Sequence, residues 1–269
     1  MMLYADRPKA LSIIDLISMK QNGEKISCLT AYDASFSVLL DQVGIDAILV
    51  GDSLGMVIQG HASTLPVTVD DMVYHTRCVS SVRNRAFVIA DLPFASYATP
   101  EQALENAAKL LQIGGAQMVK LEGPKLDVIQ FLVQQGIPVC GHLGLLPQSV
   151  NRIGGYKVQG RTSIQAQQLL EDALAIEQAG AGLLVLECIP ALLAEEITRQ
   201  LSIPTIGIGA GAGCDGQVLV IYDMLNISVG NRPRFSKNFM ADAVSIEAAI
   251  KQYHQAIKTL TFPAAEHCY

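Results

Sequence analysis

Six polar side chains in this 269-residue sequence share one setting: each closes a short apolar run. Asp52 follows Ile45-Asp46-Ala47-Ile48-Leu49-Val50-Gly51, Asp91 follows Phe87-Val88-Ile89-Ala90, and Lys120 and Glu122 follow Met118-Val119. His142 ends Pro138-Val139-Cys140-Gly141, and Glu187 ends Leu183-Leu184-Val185-Leu186. Runs that are apolar on both faces suit strands of a parallel sheet. A charge at the end of such a strand is costly unless it meets a cation, a hydrogen-bond partner or water. One polar group per strand end is the layout of an enzyme built on the mouth of a parallel barrel.

The residue types suggest particular chemistry. Asp52, Asp91 and Glu122 would be neighbours on one rim, where three carboxylates repel unless a cation sits among them. Hard oxygen donors with open positions suit Mg²⁺. The plainer reading is that these acids cap helices or pair with basic side chains. Lys120 stands two residues before Glu122, so strand alternation puts both on one face. It can hold a substrate carboxylate as a point charge, form a Schiff base with a carbonyl, or pair structurally with Glu122. Glu187, set among Val185, Leu186 and Cys188, should have a raised pKa, which suits a general base near neutral pH. A rim ion pair is its alternative. His142 reads equally as a substrate contact or a satisfied core histidine. His61, His75, His254 and His267 lack ligand-like spacing and read as surface or loop residues. The G-x-G-x-x-G at Gly211, Gly213 and Gly216 comes late, with no strand-end acid after it, so it is weak as a dinucleotide fingerprint. Close backbone approach to a ligand is the better reading.

Elements that would position these groups can be traced along the chain. A helix over 8–22, opened near Pro8 and ended by Asn22-Gly23, precedes a first strand at 26–31 and could plug the closed end of a barrel. A helix over 34–43 stops at Gly44, and the second strand ends at Asp52. Residues 56–69 lack a helical period and form a long connection of the kind that serves as a lid. Thr68 reads as an N-cap, with Asp70 and Asp71 in the first turn; Thr99-Pro100 opens a later helix. Further strands are expected at 87–90, 117–121, 137–141, 183–186 and 204–208, and an eighth at 218–221. Helices are expected at 126–135, 163–179, 191–201 and 241–259, with almost none after the seventh strand. A second long loop runs from 143 to 162, and the last ten residues read as a tail. Alternation without a linker predicts a single (β/α)8 TIM barrel over 1–269, with an N-terminal helix ahead of strand one.

Composition narrows the function classes. Only 16% of residues are charged, against roughly 25% in an average domain, so a large core and buried subunit surfaces are expected. A net charge of −6 without a basic patch argues against a nucleic-acid partner. The six cysteines form no C-x-x-C pair and read as core residues in a reducing cytosol. Asp6 and Arg7 argue against a signal peptide. Residues 128–151 carry no Asp, Glu, Lys or Arg, but their glutamines, His142 and two prolines argue against a membrane span. A cytoplasmic protein is expected.

Ordered motifs then bring a family into view. Among them are Leu29-Thr30-Ala31-Tyr32-Asp33, Val50-Gly51-Asp52-Ser53-Leu54-Gly55-Met56 and Val119-Lys120-Leu121-Glu122-Gly123. Others are Pro138-Val139-Cys140-Gly141-His142-Leu143-Gly144-Leu145, Gly154-Gly155-Tyr156-Lys157-Val158-Gln159-Gly160 and Val185-Leu186-Glu187-Cys188. With these, the chain resembles the ketopantoate hydroxymethyltransferase family nearly end to end, departing after Glu122, around 161–168 and at both ends. The resemblance implies a (β/α)8 barrel that transfers a one-carbon unit from 5,10-methylenetetrahydrofolate to 3-methyl-2-oxobutanoate. It implies Mg²⁺ at Asp52, Asp91 and Glu122, directly or through water, and keto-acid contacts from Asp52, Ser53, Asp91 and Lys120. Glu187 matches the proton acceptor, and a homodecamer is implied. Three alternatives stand: a Mg²⁺-dependent lyase or mutase of the phosphoenolpyruvate mutase type, Schiff-base catalysis at Lys120, and a metabolite-binding barrel without catalysis.

Overall fold

Apolar runs and capped amphipathic segments alternate as the sequence suggests, and the strands close on themselves. The computed structural model describes residues 10–230 and 232–269. Helix α1 (Ile13–Gln21) leads into β1 (Ile26–Thr30), α2 (Ala34–Val43), β2 (Ala47–Val50), α3 (Leu54–Val57) and α4 (Val69–Ser80). Then come β3 (Phe87–Asp91), α5 (Pro100–Gln112), β4 (Met118–Lys120), α6 (Leu126–Gln134), β5 (Val139–Gly144) and α7 (Val150–Ile153). The chain continues through α8 (Ser163–Gln178), β6 (Leu183–Glu187), α9 (Ala191–Gln200), β7 (Thr205–Ile208), β8 (Gly216–Leu219), α10 (Ile221–Met224) and α11 (Ile246–Lys258). The strands form a closed parallel barrel in sequence order, β8 pairing back to β1. This is the (β/α)8 TIM barrel, with a helix ahead of strand one.

Helix starts follow side-chain chemistry. Thr68 caps α4 and exchanges hydrogen bonds with Asp71, and Thr99 caps α5 with Pro100 at its first position. Gly44 ends α2 at φ 94°, a conformation cheap only for glycine. Helix α1 spans the bottom of the barrel. The Leu11 N–H donates to the Arg85 carbonyl at 2.7 Å, and Gln117 Nε2 donates to the Leu11 carbonyl at 3.0 Å. Lys20 pairs with Asp215 at 2.8 Å. Arg85, Gln117 and Asp215 precede β3, β4 and β8, so the helix closes the end opposite the strand termini that carry the polar groups. The expected helix start at Pro8, like Asp6 and Arg7, lies outside the described residues.

Several expectations need correction. Residues 54–57 form one helical turn that runs into the start of the 56–69 connection, where no helical period was expected. β8 runs from Gly216, two residues early, because Gly216 lies against both β1 and β7: a Cβ there would meet the Ile26 carbonyl oxygen at 2.4 Å. α11 starts at Ile246, not 241, because Ser245 supplies the cap by accepting from the Ala248 N–H. The expected C-terminal tail is packed. Phe262 sits 5.4 Å from Phe239 and 5.9 Å from Tyr253 between ring centroids, and the Ala191 N–H donates to the Tyr269 oxygen at 3.0 Å. His75 and His254 lie half-buried on α4 and α11, and His267 is buried. Residues 209–215 carry no helix, as expected. All six cysteines are free, and among the described residues no helix is long and apolar enough to cross a membrane.

Candidate active site

The polar groups singled out from sequence open on one cavity of about 800 Å³, lined by Asp52, Ser53, Asp91, Lys120, Glu122, His142 and Glu187. Asp91, Lys120 and Glu187 are the last residues of β3, β4 and β6; Asp52 and Glu122 stand two residues past β2 and β4. His142 lies inside β5 rather than at its end, because the strand continues to Gly144. Barrel register explains the contacts. Asp91 and Lys120 are paired neighbours, so Lys120 Nζ meets Asp91 Oδ1 at 2.6 Å. Asp91 Oδ2 accepts from the Asp52 N–H at 3.1 Å.

A residue absent from the sequence reading ties the acids together. Gln148, in the loop after β5, donates from Nε2 to Asp52 Oδ2 at 2.8 Å and to the Leu92 carbonyl at 3.0 Å. Its backbone N–H donates to Glu122 Oε2 at 3.1 Å. Its Oε1 accepts from the Tyr97 hydroxyl at 2.5 Å, and that hydroxyl accepts from the Glu122 N–H at 3.3 Å. Gln148 and Tyr97 thus brace Asp52 against Glu122. The only sequence signal for Gln148 was its place in an unusually long loop. Ser53 is positioned by the Tyr32 hydroxyl, 2.8 Å from its Oγ. Gly51 lets both approach: a Cβ there would lie 2.8 Å from Ser53 Oγ and 3.5 Å from Asp91 Oδ2.

Glu187 is aimed by backbone geometry. Gly144, its register partner, has φ 95°, and a Cβ there would fall 2.1 Å from the Glu187 carbonyl oxygen. Cys188, at φ 47°, turns the chain sharply just after the carboxylate; such strain concentrates at functional sites. His142 Nε2 lies 3.1 Å from Glu187 Oε2 and Nδ1 lies 3.7 Å from Glu122 Oε1. Neither contact has hydrogen-bond geometry, so both ring nitrogens are buried without a hydrogen-bond partner among the described residues.

The electrostatics follow from this crowding. Burial, and then Asp91, push Asp52 up to about 7; burial pushes Glu187 up to about 8. Burial, then Asp52, hold Glu122 well above its ordinary value. Burial alone would lower Lys120, but Asp91, Glu122 and Asp52 raise it above the usual lysine range. Burial, then Lys120, keep His142 neutral. Four carboxylates therefore face one buried ammonium. A divalent cation fits that excess, because its charge would let the acids ionise together. Among the described residues no three His, Cys, Asp or Glu side chains are arranged to hold an ion by themselves. A fitting ion is one that completes its shell with water and substrate oxygen, as Mg²⁺ commonly does.

A sequence model described as ketopantoate hydroxymethyltransferase matches residues 10–265. The chain belongs to the ketopantoate hydroxymethyltransferase family. Proteins named 3-methyl-2-oxobutanoate hydroxymethyltransferase are similar to it along nearly their whole length. The one from Burkholderia vietnamiensis is 56% identical, with 98% of each chain covered. That from Nitrosococcus oceani is 57% identical, covering 96% of this chain and 99% of the relative. That from Shewanella loihica is 59% identical, covering 94% and 97%. Among solved structures, a 2,3-dimethylmalate lyase aligns with TM-score 0.58 at 17% identity, covering 79% of each chain. A phosphoenolpyruvate phosphomutase from Streptomyces platensis aligns with TM-score 0.60 at 12% identity, covering 80% of this chain and 83% of that one. At those identities the likeness shows the barrel fold alone. For this family member the glycine-rich run needs a corrected reading. A Cβ at Gly211 or Gly213 would meet Ala191 or Glu195 of α9 at 2.6 and 2.7 Å, so these glycines admit a helix rather than a ligand.

Proposed function

We propose that the chain transfers a hydroxymethyl group from 5,10-methylenetetrahydrofolate to 3-methyl-2-oxobutanoate, forming 2-dehydropantoate for pantothenate and coenzyme A biosynthesis. The observation that carries this reading is the cavity itself, which joins Asp52, Asp91, Lys120, Glu122, His142 and Glu187 in a chain of this family. Asp52, Asp91 and Glu122 would hold Mg²⁺, directly or through water. Bound there, the ion supplies Lewis-acid stabilisation of negative charge developing on the keto oxygen.

The side chains do the rest. Lys120, kept charged by its carboxylate neighbours, balances the substrate carboxylate. Ser53, oriented by Tyr32, gives a hydroxyl to the same acid, and His142 offers an unpartnered ring nitrogen. Glu187 in its ionised form removes the proton from C3, directly or through water; its raised pKa makes that form a stronger base than an ordinary carboxylate, and a divalent ion nearby would enlarge the ionised fraction near neutral pH. The carbanion bonds to the donor's one-carbon unit as one of that unit's two bonds to folate nitrogen breaks; water then replaces the second nitrogen, its oxygen becoming the hydroxyl, and the proton taken from C3 and the proton left by water end on the two freed nitrogens. Residues of the 56–69 segment over the cavity, Met56, Val57 and Thr64, would exclude bulk water.

Schiff-base catalysis is disfavoured, because a lysine in a 2.6 Å ion pair and held protonated is a poor nucleophile. A mutase-type lyase is disfavoured by the family match, since the lyase likeness reaches only the fold. Assembly as a homodecamer in the cytoplasm completes the proposal. Ile164, Leu192, Val229 and Val244, each more than four-fifths exposed, suit contacts between subunits. The direct test is hydroxymethyl transfer to the keto acid with and without Mg²⁺ and the folate donor. Product should require both, and product formed without the folate would refute the donor.

A further inference from the structure

The cavity sorts its charges by depth. Asp52, Asp91 and Glu122 are buried at its inner end, whereas Lys157, Arg161 and Arg234 line its mouth and are exposed. We infer that this mouth is a distinct anion subsite, in which Lys157, Arg161 and Arg234 hold the carboxylate-bearing tail of the one-carbon donor. The inference rests on the donor proposed above and adds where, and by which groups, it is held.

Three observations support it. First, the mouth cations lack counter-charges: among the described residues no carboxylate lies within ion-pair distance of any of the three. In a chain of net charge −6, three such cations round one opening are not an ordinary solvated face. Second, Arg234 is already oriented. Its Nε donates to the Glu266 carbonyl at 3.0 Å and its guanidinium carbon lies 5.4 Å from the Tyr269 ring centroid. Tyr269 is itself tied to the start of α9 through the Ala191 N–H. The terminal guanidinium nitrogens have no hydrogen-bond partner among the described residues, which leaves the planar fork available for a carboxylate. Arg161 lines the same opening, near enough for its charge, like that of Arg234, to bear on the Tyr269 hydroxyl. Third, Tyr156, half exposed, reaches from the loop after β5 to Met56 of α3, its hydroxyl 3.6 Å from the sulfur. With Tyr269 it gives the mouth aromatic faces suited to a flat heterocycle.

Polarity then fixes the direction of the donor. The one ammonium of the inner end, Lys120, is taken by the keto acid's carboxylate, so the donor's carboxylates find free cations only at the mouth; the tail lies there and the reactive carbon points toward Lys120 and Glu187. The cavity volume, in the range that takes a drug-sized ligand, has room for this beside a small branched keto acid.

The test is binding of tetrahydrofolate to the full chain by calorimetry, comparing one glutamate with three in the tail, for the unaltered protein and for Arg161→Ala/Arg234→Ala. Exchange of the keto acid's C3 proton without folate serves as the readout of the inner site. The double variant should bind the triglutamate about tenfold or more weakly and lose its preference over the monoglutamate, with C3 exchange within about twofold. Unchanged triglutamate affinity would overturn the subsite. So would a loss confined to keto-acid binding, which would mean that the mouth only steers the smaller anion. If the unaltered protein binds no folate and needs none for turnover, the donor itself is wrong and the subsite falls with it.

Discussion

Removing the Gln148 side chain would strip Asp52 Oδ2 and the Leu92 carbonyl of their donor and the Tyr97 hydroxyl of its acceptor, all in a buried setting. Each lost buried partner costs roughly 1–3 kcal/mol, and groups that orient metal-binding carboxylates are worth about 10–100-fold in metal affinity. Gln148→Ala should therefore lower the melting temperature and weaken Mg²⁺ binding by about that factor, read by calorimetry without substrate. Unchanged Mg²⁺ affinity would reduce Gln148 to a packing residue. At this scale the charged groups were legible in the sequence and the neutral ones were not. A carboxylate that ends a buried strand is conspicuous because its cost demands an explanation. Gln148 carries no such cost in a loop, and its partners Asp52 and Glu122 lie on β-strand ends far back in the chain. The glycine-rich run was legible as close approach, but nothing in it told a helix from a ligand.

Strands and helices set the directions of these groups. Gly144 illustrates how: β5 and β6 come so close at Glu187 that any Cβ at Gly144 collides with the neighbouring backbone, in a conformation L residues avoid. Gly144→Ala should destabilise the fold by more than about 2 kcal/mol and displace Glu187, so that C3 exchange falls in the folded fraction while Mg²⁺ still binds. A variant as stable and as active as the parent would show that the β5–β6 approach does not aim the base. Most elements were readable because capping residues and apolar runs are local signals. Thr68, Thr99 and Gly44 mark boundaries through their own side chains or lack of one. The start of β8 and the packing of residues 260–269 depend on distant partners: β1 and β7 for Gly216, and Phe239, Tyr253 and Ala191 for the C-terminal residues. No local pattern announces them.

For the whole molecule, the acids make stability depend on pH in an unusual direction. Ordinary carboxylates that are paired when folded stabilise a protein as pH rises. Here burial raises Asp52 to about 7 and Glu187 to about 8, above unfolded values near 4. Between about pH 4 and 8 the folded chain holds protons that the unfolded chain has released, so stability falls as pH rises through that window. Without metal, the melting temperature should drop by on the order of 5 °C from pH 5.5 to pH 8. Mg²⁺, if held as proposed by the folded carboxylates alone, should raise it more at pH 8 than at pH 5.5. A metal-free melting temperature that rises across this range would contradict the charge balance drawn for the cavity. The closed barrel itself was the most legible level, since eight apolar runs alternating with helices leave few other architectures.

The central claim is that acids from separate strands act together on one divalent ion and one α-keto acid. Its most direct test is exchange of the C3 proton of 3-methyl-2-oxobutanoate with solvent, followed by NMR without any folate. With Mg²⁺ the exchange should be rapid; with EDTA, or in Glu187→Ala with Mg²⁺ present, it should fall by about a hundredfold or more. Exchange at full rate in EDTA would contradict the account.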